Sequence, residues 1–103
     1  MRPYEVMVVL RPDLEEERLG ELVERLLGVI QEQGGKVDSV DRWGKRRLAY
    51  EIADCREGYY LVIGFSSGPG VPREVSRVLG LREEVLRHLV VARPDVGKAA
   101  QEG

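Results

Sequence analysis

Tyr59-Tyr60-Leu61-Val62-Ile63-Gly64-Phe65 predicts an extended strand that is apolar on both of its faces. The stretch Tyr4-Glu5-Val6-Met7-Val8-Val9-Leu10 has mostly the same character. Arg11-Pro12 ends it, because proline has no backbone donor for a ladder and restricts the residue before it. A strand that is apolar on both faces suits the middle of a sheet rather than its edge. We therefore expect these two strands to form the central pair of one sheet.

Two amphipathic patterns with helical spacing separate the predicted strands. The first pattern has Asp13 as its predicted N-cap and Glu16 as the partner in a capping box. Gly34-Gly35 ends this helix, with Gly34 expected in the left-handed conformation. The second helix has Pro72 in its first turn and ends at Gly80. The apolar positions of the two patterns are Leu19, Leu22, Val23, Leu26, Leu27, Ile30, Val75, Val78 and Leu79.

The remaining strands are less regular than the central pair. Lys36 to Ile52 is a long extended segment in which strict alternation breaks within Val37–Val40, and this predicts a bulge there or at Gly44. A polar turn, Ala53 to Gly58, joins this segment to the apolar strand that follows, so the two form an antiparallel hairpin. Val85 to Val91 predicts the last strand.

The order of the predicted elements is strand, helix, strand, strand, helix, strand. Right-handed crossovers on a single sheet turn this order into an α+β fold, the ferredoxin-like split βαβ sandwich. We expect a four-stranded antiparallel sheet with two helices on one face and the strand order 4-1-3-2. Residues 1–93 would form this single domain. Residues 94–103 are small and polar, which predicts a flexible tail.

Length and composition restrict the class of protein. A chain of 103 residues with 43% hydrophobic and 33% charged residues fits one soluble globular domain. The single cysteine, Cys55, excludes an internal disulfide and indicates a reducing, cytoplasmic compartment. The apolar run near the N-terminus is too short for a signal peptide or a membrane span.

The residue types give little support to catalysis or metal binding. Cys55 and His88 are the only nucleophile–base pair of the common kind, and nothing in their spacing brings them together. One cysteine and one histidine cannot complete a closed zinc site. The chain lacks asparagine and threonine, and it has no phosphate-binding or dinucleotide fingerprint. We therefore predict a protein that is not an enzyme and that takes no metal or other cofactor.

Trp43-Gly44-Lys45-Arg46-Arg47-Leu48-Ala49-Tyr50 combines an aromatic residue at each end with three consecutive cations. In a strand, Arg46 and Leu48 would share one face, because side chains alternate. The apolar Leu48 is expected in the core, which would leave Lys45 and Arg47 on an open face. Arg46 would then have to reach round the sheet edge, with its stem packed and its guanidinium in solvent.

Two interpretations of this basic stretch remain open. Cations beside aromatic rings suit an RNA surface, because they supply charge for phosphates and planes for bases. Charges on an edge strand also prevent aggregation without binding any ligand. The net charge of −2 counts against a solitary, general RNA binder, although it allows a local basic patch or a basic partner. The signature of RRM-type RNA-recognition domains is matched only at Gly58, Tyr59 and Val62.

Four stretches carry a family resemblance: Arg2-Pro3-Tyr4-Glu5-Val6, Trp43-Gly44-Lys45-Arg46-Arg47-Leu48-Ala49-Tyr50, Gly58-Tyr59-Tyr60 and Val85-Leu86-Arg87-His88-Leu89-Val90-Val91. Together they resemble the bacterial small-subunit ribosomal protein six family. The resemblance covers residues 2–93, and the basic stretch is its most specific part. It implies the ferredoxin-like fold and a structural role in the small ribosomal subunit, in the cytoplasm and without enzymatic activity.

The same resemblance implies partners. It implies binding to the central domain of small-subunit (16S) ribosomal RNA, together with the eighteenth small-subunit protein. That partner is basic in the family, so it would supply part of the charge that an acidic chain lacks. Neither a membrane nor a small-molecule substrate is implied. The residues carried over to the RNA or partner surface are Arg2, Tyr4, Trp43, Lys45, Arg46, Arg47, Tyr50, Arg87 and Arg93.

Within this set, the resemblance suggests phosphate contacts for Lys45, Arg46 and Arg47. It suggests base stacking or partner packing for Trp43 and Tyr50. A different class of function remains as the alternative, a ferredoxin-like regulatory domain that binds a small ligand at a dimer interface. That function would need a pocket between two copies, and the sequence offers no cluster of polar ligand-binding residues for it.

Overall fold

The computed structural model describes residues 1–93 of the chain. The elements in chain order are β1 (Arg2–Leu10), α1 (Glu16–Glu32), β2 (Lys36–Ile52), β3 (Cys55–Ser67), α2 (Val71–Gly80) and β4 (Val85–Ala92). The strands form one antiparallel sheet in the order β2-β3-β1-β4, with both helices on one face. The predicted fold class and strand order are therefore confirmed. The expected tail, residues 94–103, lies outside the described residues.

The pairing of β1 with β3 forms the centre of the sheet. Nine consecutive residue pairs keep one register along it, among them Val6 opposite Ile63. Because directly opposed residues point to the same face, these two side chains lie together under the helices. Nearer the start of β1, the rings of Tyr4 and Phe65 stack with their centroids 5.6 Å apart. The two most apolar strands are thus the central pair, as the sequence predicts.

Both helices bury an apolar stripe against this face of the sheet. Phe65 is the largest fully buried side chain, and it belongs to the same core cluster as the apolar residues of both helices. Each fully buried side chain of this kind contributes about 1.5–3 kcal/mol, so this core is the main stabilising term of the fold. The helix residues in the core are Leu19, Leu22, Val23, Leu26, Val29, Ile30, Val71, Val75, Val78 and Leu79.

The start of α1 differs from the prediction. The helix begins at Glu16, so the predicted cap, Asp13, lies outside it and the expected capping box does not form. Glu15 occupies the N-cap position without a side-chain hydrogen bond. The intervening residues carry the chain from the end of β1 to the helix layer, where Leu14 packs against the core. Acidic residues in the first turn still complement the positive end of the helix dipole.

The end of α1 follows the prediction. Gly34 comes directly after the C-cap residue and has a φ of 82°. Its N–H donates to the carbonyl oxygen of Gln31 at 3.0 Å, and the N–H of Gly35 donates to that of Ile30 at 2.9 Å. These bonds satisfy carbonyl groups that the last helical turn leaves free. Glycine is usual at this position because it adopts the positive φ that the bonds require.

The β2–β3 hairpin is longer and its turn is tighter than expected. The sequence predicted a turn from Ala53 to Gly58. The turn in the structure consists of only two residues, Ala53 and Asp54, whose φ angles are 48° and 65°. Positive φ at both central positions is typical of the type I′ turn, which matches the twist of paired strands. β3 therefore begins at Cys55, because the polar residues before Tyr59 join the ladder instead of forming a loop.

β2 departs from regular pairing at three places. Shifts within Val37–Ser39 and just before Gly44 confirm both positions at which the sequence allowed a bulge. Gly44 has a φ of 84°, a conformation that residues with a Cβ rarely adopt. The third shift lies between Arg47 and Ile52 and was not expected. It changes the position of the basic stretch, as described below.

Polar contacts tie the end of β1 to the α2–β4 connection. The backbone N–H of Arg11 donates to the carbonyl oxygen of Glu84 at 2.9 Å, and its Nε donates to that of Glu83 at 3.1 Å. The Glu84 carboxylate accepts a hydrogen bond from Arg18 of α1 at 3.0 Å. A hydrogen bond from its own backbone N–H, reinforced by Arg18, holds the pKa of Glu84 below its ordinary value.

Within residues 1–93, neither helix has the length and apolar character needed to cross a membrane. The same part of the chain contains no group of three or more His, Cys, Asp or Glu side chains that could hold a metal ion. Cys55 is a half-buried free thiol that contacts Arg11. His88 instead lies 2.9 Å from the Ser76 hydroxyl, so its ring nitrogen is engaged with α2 and not with the thiol.

Gly58 provides a test of the close approach between β1 and β3. A Cβ at this position would collide with Cγ1 of Val9 and lie 3.3 Å from Cδ2 of Leu48. Gly58→Ala should therefore lower the free energy of unfolding by about 1–3 kcal/mol. The control is Gly20→Ala in α1, where a Cβ meets nothing within 4 Å and should stabilise the helix by about 0.5–1 kcal/mol. Chemical denaturation measures both changes, and changes of the same sign would contradict this geometry.

Glu84 should make part of the stability depend on pH. Because its pKa is lower in the folded chain, its contribution is present above the ordinary value of about 4.5 and is lost as the pH falls. Glu84→Gln should lower the free energy of unfolding at neutral pH and reduce its decline between about pH 5 and pH 3. Glu51→Gln, which breaks an exposed ion pair with Arg56, should lower the free energy of unfolding at neutral pH less than Glu84→Gln does. Denaturation at a series of pH values compares the two variants.

Candidate functional site

The sheet has an apolar surface on the side turned away from the helices, which we call the open face. It is formed by the alternate residues of β1, β3 and β4 that do not contribute to the helix-covered core. Leu89 and Val91 on this face are 52% and 40% exposed, unusually high for large apolar residues of a sheet. The open-face residues of these three strands include Met7, Val9, Tyr60, Val62, Arg87, Leu89 and Val91.

Leu48 lies on the open face, so its predicted place in the core is wrong. The last pair between β1 and β3 is Leu10 with Tyr59, and the hairpin continues beyond it with no helix-covered sheet beneath. Past Arg47, four residues of β2, 48–51, lie opposite the single residue Arg56 of β3. This excess length takes β2 out of the ladder and places Leu48 near Val9 of the central strand.

A pocket of about 310 Å³ lies between the end of the hairpin and the open face. Its walls are mostly apolar, and its polar side chains come from two tyrosines and one arginine, because the ring of His88 lies on the other side of the sheet, at Ser76. A cavity of this size holds one large side chain or a small ligand. The residues that line it are Met7, Val9, Leu48, Ala49, Tyr50, Ile52, Tyr60, Arg87, His88 and Leu89.

A hydrogen bond joins the two outer strands of the sheet at this pocket. Nη1 of Arg87, on β4, donates to the hydroxyl of Tyr50, on β2, at 3.2 Å. These strands are the two edges of the sheet, so the hairpin end must cross the open face for the bond to form. Tyr50 nevertheless remains 63% exposed. Two residues that the sequence placed at the functional surface are therefore brought together here.

An aromatic–cation cluster lies at the base of the hairpin. The rings of Trp43 and Tyr60 stack at an interplanar angle of 11° with centroids 6.2 Å apart. The guanidinium carbon of Arg46 is 5.1 Å from the centre of the Trp43 ring, which is within the range of a cation–π interaction. Trp43 keeps 43% of its surface exposed, so the cluster is available to a partner.

The three cations of the basic stretch point in two directions. Arg46 pairs with Gly58, on the side of β3 that faces the open face, and so it shares a side with Leu48 as predicted. Lys45 pairs with Tyr59, which packs against the core, so Lys45 projects from the opposite side. The expectation that Lys45 and Arg47 lie on the open face is therefore wrong. Alternation was predicted correctly, but the two faces were exchanged because Leu48 was assigned to the core.

The other predicted site residues lie at the far end of the sheet. Arg2 is exposed at the first position of β1, and the half-buried Tyr4 turns its ring toward Phe65 on the helix side. Arg93 binds Glu5 through Nη1 and Oε2 at 2.8 Å. Five residues of β1, about 17 Å, separate this group from the hairpin end. The predicted residues thus form two groups rather than one patch.

Apart from Tyr50 and Arg87, the sequence-based set did not include the residues that line the pocket, among them Met7, Tyr60 and Leu89. A signal for them was present, because the central strands are apolar on both faces. With both helices on one side of the sheet, the second apolar face has no internal cover. Apolar residues at the alternate positions of the central strands therefore mark a second apolar face that the helices do not cover.

The acidic residues of the chain are concentrated away from the open face. α1 carries five glutamates and two arginines, and it covers the opposite side of the sheet. Arg42 on β2 reaches one of these glutamates, Glu16, at 3.0 Å. The acidic residues on the open face include Glu5, which is paired with Arg93, and Asp41. The charged side chain at the pocket is Arg87, and Arg46 lies in the neighbouring aromatic cluster.

Comparison with known proteins identifies relatives along nearly the whole described chain. The family described as Ribosomal protein S6 matches residues 3–92. Small ribosomal subunit protein bS6 of Clostridium perfringens (strain SM101) is 48% identical over 91 residues, covering 88% of this chain and 96% of the relative. The bS6 protein of Streptomyces griseus is 52% identical over 96 residues, covering 93% and 99%.

Solved structures give the same result. The crystal structure of 30S ribosomal protein S6 from Thermotoga maritima has a TM-score of 0.88 and 35% identity, covering 98% of this chain and 95% of that chain. The C-terminal domain of MgtC from Mycobacterium tuberculosis, with a TM-score of 0.64 and 13% identity over 92% and 90% of the two chains, shares the fold alone. The family match, the identities and the structural agreement place this chain in the ribosomal protein S6 family of the small ribosomal subunit.

Proposed function

We propose that this chain binds the central domain of the small-subunit (16S) ribosomal RNA together with the eighteenth small-subunit protein. Membership of the ribosomal protein S6 family supports an association with the ribosome and its RNA. The observation that carries the finer proposal is the division of β2 into two chemically different sides. One side belongs to the apolar and aromatic open face, and the other presents Lys45 and Arg47.

The coarser role follows from the family alone. As a structural protein of the small ribosomal subunit, the chain is not an enzyme, and it acts in the cytoplasm as part of the ribosome. The alternative of a ligand-binding regulatory domain gains no support from the pocket. That function needs a site between two copies, whereas the pocket is complete within one chain.

The open face has the composition of a protein interface. The centres of such interfaces are enriched in Tyr, Trp, Met and Arg and depleted in Lys, Asp and Glu. The pocket offers a place for one bulky apolar side chain of the partner, and buried anchors of this kind carry most of the binding energy. The open-face residues of the enriched types are Met7, Trp43, Arg46, Tyr50, Tyr60 and Arg87.

Lys45 and Arg47 are suited to RNA phosphates. Both side chains are exposed, and neither forms an ion pair with another residue in 1–93. Contacts from such cations to phosphates supply much of the affinity of RNA-binding proteins without reading sequence. Since these two residues project away from the open face, RNA and a protein partner can contact β2 at the same time.

The charge distribution favours RNA binding by this chain and a basic partner protein together. The acidic surface of α1 would repel phosphates, so the few cations of this chain give weak binding on their own. A basic partner seated on the open face would add cations on the other side of the same strand, β2. The affinity of the pair for RNA should therefore be much higher than that of this chain alone.

The RNA contribution is tested with Lys45→Ala combined with Arg47→Ala. This double variant should bind the protein partner normally, but the pair should bind central-domain RNA more weakly. The slope of log affinity against log salt should fall by about two, because each lost phosphate contact removes about 0.9. Gel-shift titrations at several salt concentrations measure this, with Arg56→Ala as the control. An unchanged affinity of the double variant would place the RNA surface elsewhere.

The partner contribution is tested with Leu89→Asp on the open face. A carboxylate at the edge of the pocket should weaken binding of the eighteenth protein by at least about tenfold. Leu81→Asp is the matched control, because Leu81 is even more exposed, at 73%, but lies at the end of α2. Calorimetric titration compares the two variants. Equal binding of both, or equal RNA binding with and without the partner, would contradict the proposed pairing.

A further inference from the structure

β4 is a sheet edge that lacks the features by which β2 is protected. β2 has three register shifts, and it carries charged side chains along much of its length. Val85–Ala92 contains one charged side chain, Arg87, and its register against β1 is unbroken from there to Ala92. In the part of the chain that the structure describes, β1 is its only strand neighbour. An edge of this kind is open to the addition of another strand.

The backbone direction of β4 identifies the groups that an added strand would use. Arg93, directly after β4, donates its N–H to the carbonyl oxygen of Pro3 at 2.8 Å, so this amide points into the sheet. Successive residues of an antiparallel strand direct their backbone groups alternately to the two sides. The N–H and C=O groups of Ala92, Val90 and His88 therefore point away from β1.

A groove of about 760 Å³ lies beside these groups, between β4 and α2. Its helix wall presents Arg73, Ser76 and Arg77, and its strand wall is formed by His88–Ala92. A 2.9 Å contact between the Ser76 hydroxyl and the ring of His88 joins the two walls. Arg73 is exposed and forms no ion pair within the described residues. Within the described residues the Arg77 guanidinium is paired with the Glu74 carboxylate, so Arg73 is the unpaired cation beside the free strand edge.

The charge beside the groove determines which kind of strand could pair with β4. A second copy of the chain would pair its own β4 in antiparallel order and bring a second α2 alongside the first. The unpaired Arg73 of each copy would then lie on the same side of the joined sheet, and these like charges would oppose the dimer. A strand with carboxylates toward α2 would instead form charge-assisted hydrogen bonds with the Arg73 guanidinium. Apolar side chains on its other side would cover the exposed Val91.

We propose that the β4 edge and the adjoining groove form a strand-addition site for an extended segment of another protein, in which acidic and apolar residues alternate. The acidic residues face Arg73, and the apolar residues extend the open-face side of the sheet. The site lies at the opposite edge of the sheet from Lys45 and Arg47, and its occupation does not require RNA.

The test uses the full chain and a fluorescein-labelled peptide in which four glutamates alternate with three valines. We expect saturable binding by fluorescence anisotropy, with the amides of His88, Val90 and Ala92 protected from hydrogen exchange. A peptide with lysine in place of each glutamate should bind at least about tenfold more weakly, because it meets like charges. A glutamate peptide methylated at alternate backbone nitrogens should lose binding similarly, because it cannot complete the ladder.

Variants of the chain separate the backbone and charge contributions. Ala92→Pro removes an outward N–H without removing a bond to β1, so it should weaken peptide binding about tenfold, whereas Ala92→Ser should not. Arg73→Glu should weaken binding about fivefold, and Lys36→Glu at the opposite edge should have no effect. Thermal denaturation establishes that each variant is folded. If Ala92→Pro is not, the methylated peptide serves as the backbone test.

Several outcomes would overturn the proposal. No saturable binding, or equal binding of the glutamate and lysine peptides, would remove the acidic segment as the occupant. Equal binding of the methylated peptide would exclude pairing along β4. A dimer of the free chain in sedimentation equilibrium, lost in the folded Ala92→Pro variant, would assign the edge to a second copy instead.

Discussion

The register between β1 and β3 is the constraint on which the other features depend. Once Val8 lies opposite Leu61, alternation determines the face taken by every later residue of both strands. β4 then occupies the free edge of β1, and β2 occupies the free edge of β3. Both helices cover one face, so the remaining apolar residues of the same strands form the open face. A shift of one residue in this register would exchange the core for the surface.

The unequal lengths of the strands create the pocket. β1 has 9 residues, whereas β2 and β3 have 17 and 13, so the hairpin extends beyond the sheet that the helices cover. An isolated two-stranded ribbon is only marginally stable in water, and contacts with the open face add the stabilisation that the hairpin end needs. Leu48 approaches Val9, and Tyr50 binds Arg87. The family's basic stretch thus depends for its position on residues far from it in the chain.

The sequence predicted the order of elements, the strand order and the family, because these follow from periodicity and from local motifs. It did not predict the environment of Leu48, since alternation shows which residues share a side but not which side the helices cover. The misplaced cap at Asp13 has a similar origin, because the path from β1 to α1 depends on where the two layers meet. The nine predicted site residues remain a prediction, although the structure divides them between the hairpin and the far end of the sheet.

The position of β4 beside β1 has a consequence for the order in which the chain folds. β1 is the first of the six elements to be made and β4 is the last, yet they are neighbours in the finished sheet. At about 5–20 residues per second, synthesis leaves one edge of β1 unpaired for several seconds after the rest of the strand has formed. During that interval the backbone groups of Glu5, Met7 and Val9 that later pair with β4 have no strand partner. Completion of the sheet therefore waits for β4, and rapid capture of that strand limits misassembly at the site of translation.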